Sequence, residues 1–215
     1  MSSSDSTPSA KSEILARIRG ALGGAPTPPV PSRRYQREGA LSADAVREQL
    51  IDRLEDYRAR AFVETRQTLP ARIAELLGEA RTCVIPVVID RSWLPEGGFW
   101  QWRADGEGAV LSDAELDATD AVLTSSTVSC SETGTIFLTS APDEGRRAIS
   151  LVPDHHICVV PAGSIVELLP QALARVDPER PVTMFSGPSA TSDIELQRVE
   201  GVHGPRKLDV IILKD

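Results

Sequence analysis

"HICVVPAGSIVELLPQALARVDPERPVTMFS" (His156–Ser186) decides the fold. Ile157–Val160 is an unbroken aliphatic and thiol run, not an alternating one. Such a run suits a strand buried on both faces of a sheet. "AGSIVELLPQALARV" follows and reads as a helix interrupted or kinked at Pro170. "PVTMFS" then reads as a second strand. Strand, helix and strand in this order are a βαβ rhythm, which favours a parallel or mixed sheet in an α/β architecture.

The same kind of run recurs in "TCVIPVVI" (82–89), "DAVLTS" (120–125), "GTIFLTS" (134–140) and "LDVIIL" (208–213). Helical patterns precede them. "SADAVREQLIDRLEDYRARAFVE" (42–64) carries Val46, Leu50, Leu54 and Tyr57 on one stripe, with Ala61 continuing it. "LPARIAELLGEA" (69–80) is a second helix, with Pro70 tolerated in its first turn. Toward the end, "SGPSATSDIELQRV" (186–199) predicts a hydroxyl-rich turn and then a helix beginning near Asp193, with Ser192 and Glu195 at capping-box spacing.

The chain has 215 residues, enough for one α/β domain with extensions. Residues 1–10 are Ser-rich and read as a disordered tail. Residues 11–40 form a helical arm and a Pro-rich linker. Ile14, Leu15, Ile18 and Leu22 make one helical stripe, Ser12 stands at a cap position, and Gly23-Gly24 stops the helix. Residues 41–215 then form a single α/β domain.

Net charge is −8, which argues against nucleic acid as a partner, because phosphate neutralisation needs a basic footprint. The balance is uneven. Residues 1–40 hold six Lys or Arg against three Asp or Glu, so a basic arm precedes an acidic body. No run approaches the length of a membrane span, and the start has no secretory pattern. The three cysteines are scattered and cannot form a disulfide framework or a metal motif, which makes the cytoplasm the expected compartment. Neither a phosphate-loop motif nor a dinucleotide fingerprint is present.

Four clusters could carry chemistry. In the first, Ser186, Gly187 and Ser189 follow a strand and precede the predicted helix, where open α/β sheets bind ligands. Free N–H groups there would suit phosphate or carboxylate, although a capped helix with no ligand explains the same residues. In the second, Gly201 and Gly204 bracket His203, and Arg206 follows. His could supply a titratable proton and Arg a planar fork, or the residues are a turn with exposed charges. In the third, Glu132 stands beside Thr133 and Gly134 between strand runs, as a nucleophile, a general base or a turn cap. The fourth is Arg146-Arg147 with His155-His156. Neighbours on a strand point to opposite faces, so the histidine pair is a poor metal chelate, and no metal site is expected. The tryptophans of "SWLPEGGFWQW" (92–102) line a pocket or an interface, or anchor a turn to the core.

Four of these stretches occur in one order: "ETGT" (132–135), "SLVPDHHICVV" (150–160), "SGPSATSDIE" (186–195) and "GVHGPRKLDVIIL" (201–213). Together they resemble the lactate-utilisation protein C family, also called the LUD-domain family, over nearly the whole chain. Asp154-His155 departs from that family's pattern, in which an apolar residue often precedes a single histidine.

The resemblance implies a fold like that of the ribose-5-phosphate isomerase, glucosamine-6-phosphate deaminase and CoA-transferase superfamily, with a mixed or mainly parallel sheet sandwiched by helices. It implies a bacterial-type component of a complex that oxidises L-lactate to pyruvate. This chain would carry no redox cofactor, and iron–sulfur clusters would reside in partner subunits. The small anionic ligand would meet Thr133, Gly134, Ser186, Gly187, Ser189, His203, Gly204 and Arg206, with Glu132 as the catalytic candidate. Two other readings stand beside it. One is an isomerase- or CoA-transferase-type enzyme acting on a phosphorylated or CoA-linked small molecule. The other is a non-catalytic regulatory or assembly subunit.

Overall fold

The computed structural model describes residues 9–23, 29–192, 198–200 and 203–214, with the backbone alone described at 190–192 and 198–200. The chain divides into two compact units, Met1–Tyr35 and Gln36–Asp215. The first contains α1 (Ala10–Leu22), which is capped by Ser9, not by Ser12: the Ser9 side chain accepts from the Ser12 N–H at 3.3 Å. Its stripe, Ile14, Leu15, Ile18 and Leu22, is exposed, and Glu13 pairs with Arg17 one turn on.

The second unit begins with α2 (Ala43–Asp56), where the Ser42 hydroxyl accepts from the Ala45 N–H. Val46, Leu50 and Leu54 are its buried face. The expected helix over 42–64 ends early. Arg58 takes a left-handed conformation (φ 68°), and the chain turns into β1 (Arg60–Thr65). Tyr57 is therefore exposed at the turn, off the stripe. Ala61, Phe62 and Val63 follow a strand course because they pair with Val210, Ile211 and Ile212. Next come α3 (Leu69–Leu77), β2 (Thr82–Pro86), β3 (Gln101–Asp105), α4 (Asp113–Asp117) and β4 (Ala121–Thr124). They are followed by β5 (Val128–Cys130), β6 (Thr135–Leu138), α5 (Arg147–Leu151), β7 (His155–Pro161) and β8 (Ile165–Val166). The last elements are α6 (Leu169–Leu173), β9 (Thr183–Phe185), β10 (Ala190–Ser192), β11 (Arg198–Glu200) and β12 (Lys207–Lys214).

Six strands form one parallel sheet in the order β1-β12-β7-β4-β2-β3. Its two faces bury different partners. Cys83, Ile85, Leu123, Ile157, Val159 and Ile211 face α3 through Leu69, Ile73, Leu76 and Leu77. Trp93 is buried in that same cluster and Trp100 and Trp102 pack against it, so the tryptophans anchor a turn to the core. On the other face, Cys158, Val160, Val210 and Ile212 meet Leu50 and Leu54 of α2 and Ile136 and Leu138 of β6. Val84 and Val122 meet Leu116 of α4 and Ile149 of α5. Helices thus lie on both faces, which is why the central strands read as unbroken apolar runs. Each such side chain stabilises the fold by about 1.5–3 kcal/mol relative to exposure.

The stretch that opened the sequence reading folds differently in its second half. "AGSIVELLPQALARV" is not one kinked helix. Ile165-Val166 pairs in parallel with Ser129-Cys130, and α6 is a single turn with Pro170 in its first turn. Pro170 thus starts a helix instead of bending one. "VTMFS" does not enter the parallel sheet either. β9 runs antiparallel to β6 in a second sheet of order β8-β5-β6-β9. Around the helix expected after Ser186, the described residues take strand form. Ala190–Ser192 and Arg198–Glu200 pair antiparallel, while residues 193–197, with the start of the expected helix and Glu195, lie outside the described residues. Thr191 and Val199 are β-branched partners in that pairing, which suits them to strands.

Candidate functional site

β9 leads out of the second sheet into the turn Ser186–Ser189, and a second turn, His203–Pro205, leads into β12. The two turns are tied together. The Ser189 N–H donates to the Pro205 carbonyl at 2.7 Å, and the His203 N–H donates to the Ser189 Oγ at 3.1 Å. Gly204 lies against Ser189 and Leu151, where a Cβ would make ordinary contacts of 3.5 Å and 3.7 Å. Gly187 is required by packing. A Cβ there would lie 2.7 Å from the Tyr57 Cβ and 2.8 Å from the Tyr57 carbonyl oxygen, at the turn that ends α2.

Beneath the tied turns lies a cavity of about 150 Å³. Gly187, Pro188, Ser189, His203, Gly204 and Pro205 form its outer wall. The end of α5 (Ser150, Leu151), β9 (Thr183–Phe185), Leu208 and His156 close it from within. His156 is completely buried, its Nε2 2.8 Å from the Thr124 Oγ1 and its ring 5.2 Å from the Phe185 ring. Burial, and then the neighbouring His155, push its pKa down to about 3. The cavity floor is therefore a neutral imidazole at ordinary pH, whose state does not switch near pH 7. Ser189 accepts from a backbone N–H, and its own proton has no acceptor among the described residues.

The predicted residues separate into two groups. Gly187, Ser189, His203 and Gly204 share this cavity. Glu132, Thr133, Gly134, Ser186 and Arg206 are not among its lining residues. Glu132 is exposed, and its N–H donates to the Glu167 carbonyl at 3.0 Å. Gly134 holds φ 63° with its Cα against Arg53 of α2, where a Cβ would come within 2.7 Å of the Arg53 Cβ. Thr133, Thr135 and Ser186 form a chain of hydroxyls, 2.7 Å and 2.9 Å apart, that joins the Glu-Thr-Gly turn to the end of β9. Arg206 forks onto Asp154, with Nε at 2.7 Å and 2.8 Å from the two oxygens and Nη2 also bonded. Those hydrogen bonds hold the Asp154 carboxyl below its usual range. Gly201 lies outside the described residues.

The two adjacent histidines have different partners on opposite faces of β7. The His155 Nε2 lies 2.7 Å from the Asp209 Oδ2, and Arg60 grips the same carboxylate at 2.6 Å and 2.7 Å. Burial raises the Asp209 pKa, but the hydrogen bonds and charges of His155 and Arg60 outweigh it, and the net shift is downward. Among the described residues, no group of three or more His, Cys, Asp or Glu side chains is placed to hold a metal ion.

Ser150, His156, Thr183 and Phe185 are among the cavity residues that sequence reasoning did not assign to the site. A signal for His156 existed: a titratable residue opens an otherwise aliphatic strand run, Ile157–Val160.

The chain matches the LUD domain over residues 47–213. It is similar to the lactate utilization protein C of Deinococcus radiodurans, 44% identical over 217 aligned residues that span 99% of this chain and 100% of that protein. The lactate utilization protein C of Bacillus subtilis is 35% identical over 60% of this chain and 56% of that protein. Among solved structures, a DUF162 family protein from Deinococcus radiodurans superposes with a TM-score of 0.67 at 38% identity, covering 81% of this chain and all of that one.

Proposed function

We propose, from the premise that this chain belongs to the LUD domain family, that it serves lactate utilisation by holding a small organic anion in the His156–His203 cavity. In this reading it is a cytoplasmic component of an L-lactate-oxidising system, and iron–sulfur partner subunits carry the redox cofactors. The relatives' role in lactate utilisation supports the process, and the cavity supports the ligand class.

The observation that carries the reading is the convergence of two small-residue turns on one cavity. A cavity of about 150 Å³ holds a molecule the size of benzene. Lactate and pyruvate have the same number of non-hydrogen atoms as benzene. The His203 ring and the hydroxyls of Ser150, Thr183 and Ser189 supply polar contacts, while Leu151, Phe185 and Leu208 face the methyl end. Neutral His156 adds no charge and serves as a polar partner in an apolar floor. Glu132 has no part in this binding.

Titration of the full chain with L-lactate and with pyruvate, followed by amide NMR, tests the ligand. Saturable shifts at Ser189, Gly204 and Leu208 that weaken in Ser189→Ala and His203→Ala are expected. No shifts with either acid would reject the ligand assignment. Deleting the gene and growing cells on L-lactate tests the process, and unimpaired growth in a strain without a paralogue would reject it.

A further inference from the structure

Strands β2 and β4 are neighbours in the parallel sheet, yet the chain leaves them in opposite directions. From β2 it runs to β3 at one edge; from β4 it runs through the second sheet to β7 on the other side. The crevice outside the carboxyl ends of such a strand pair is where open parallel sheets bind ligands. Beside this point, at the carboxyl ends of β2 and β3, lies a cleft of about 460 Å³, within the usual range for small-molecule sites and about three times the first cavity.

One wall is apolar. Val87 and Val88 follow β2 directly and are both exposed, and Ala141 and Pro142 face the same cleft. The other wall carries two guanidinium groups, those of Arg146 and Arg180. Arg146 is fixed from behind. Its Nε and Nη2 donate to buried Asp105 at 2.7 Å and 2.9 Å, and Asp105 also accepts from the Leu111 N–H. The Arg146 Nη1 makes no hydrogen bond among the described residues. Arg180 donates to the Ser140 carbonyl at 3.0 Å and has no carboxylate partner among the described residues.

Ser140 itself is held in the left-handed region at φ 57°, because the Thr139 and Ala141 N–H groups both donate to the buried Glu144 carboxylate, at 2.7 Å and 2.9 Å. A strained non-glycine residue whose surroundings over-determine it is a common element of ligand clamps. Glu107 stands at the cleft and repels a compact, multiply charged anion.

The geometry points to a second ligand site, which we assign to a monoanionic organic acid with an apolar body. The body lies along Val87, Val88 and Ala141, and the acid group meets Arg180 and the Arg146 Nη1. This site is separate from the His156–His203 cavity and stands whether or not that cavity binds lactate.

Anilinonaphthalene sulfonate, an apolar aryl body with one acid group, tests this by fluorescence titration of the full chain. Its neutral counterpart N-phenylnaphthylamine reports the body alone. One saturable sulfonate site is expected. Arg180→Gln should weaken the sulfonate about tenfold, the worth of one charge-assisted contact, and leave the neutral probe unchanged. Val88→Asp should weaken both probes. Ile18→Glu on the arm and His203→Ala in the other cavity should change neither. Absence of saturable binding, or sulfonate affinity indifferent to Arg180→Gln and Val88→Asp, overturns the assignment.

Discussion

Lowering the pH should destabilise this protein through His156, and the effect can be sized. The imidazole has a pKa of about 3 in the fold against an ordinary value of 6.5. Below 6.5 the unfolded chain takes up a proton that the native chain refuses. Stability therefore falls as pH falls, and the loss continues down to the folded value near 3. Between about pH 6 and about pH 4 the linkage amounts to about 2.5 kcal/mol. The ring is fully buried, so solvent screening does not reduce it.

Urea unfolding at constant ionic strength across this range measures it, with His156→Gln as the comparison. The variant loses the ring contact with Phe185 and starts from lower stability, but its profile should be flatter by most of one proton. Carboxylates such as Asp209 and Asp154, whose pKa values are lowered, add their own losses at lower pH and do so in both proteins. Identical slopes for the two proteins between about pH 6 and about pH 4 would show that His156 is not a buried neutral base.

Two further outcomes are expected. Asp209→Asn should cost about 2 kcal/mol in denaturant unfolding; this is less than for fully enclosed pairs, because the Arg60 side chain is half in water while His155 is buried. Gly187→Ala should lower the melting temperature and blunt the NMR response to L-lactate and pyruvate, because the added methyl pushes the 186–189 turn off Tyr57 and opens the cavity wall.

Much of the core was legible in residue pattern. The aliphatic runs of β2, β4, β7 and β12 identified strands covered on both faces, and the stripe of Val46, Leu50 and Leu54 and the pattern of 69–80 identified the helices that cover them. β1 was hidden because no glycine marks the end of α2: Arg58 makes the left-handed turn, and "RAFVE" continues a helical stripe by accident of spacing. β3, β5 and β8 are short or mixed in character, and only pairing with a neighbour makes them strands. The same is true of β10 and β11, which flank the stretch where Ser192 and Glu195 stand at capping-box spacing.

The site was legible in part. Small residues and hydroxyls marked the 186–189 and 203–205 turns. Nothing local could show that Ser186 would bond Thr135, or that Arg206 would bond Asp154. Those outcomes depend on which strands lie side by side, and hydrogen bonds to charged groups form with whichever partner the backbone brings into reach.

What the amino-acid sequence determined by itself was composition along single elements: a parallel or mixed sheet whose strands are covered on both faces, an acidic body with a basic amphipathic arm, and two turns rich in small residues. Period and propensity act within a few residues, so they can be read there. What only the tertiary structure decided was adjacency. The second sheet, the cavity over His156 and the cleft at the carboxyl ends of β2 and β3 arise from contacts between residues tens of positions apart. The free energy of those contacts comes from burial and pairing between elements, which no single stretch contains.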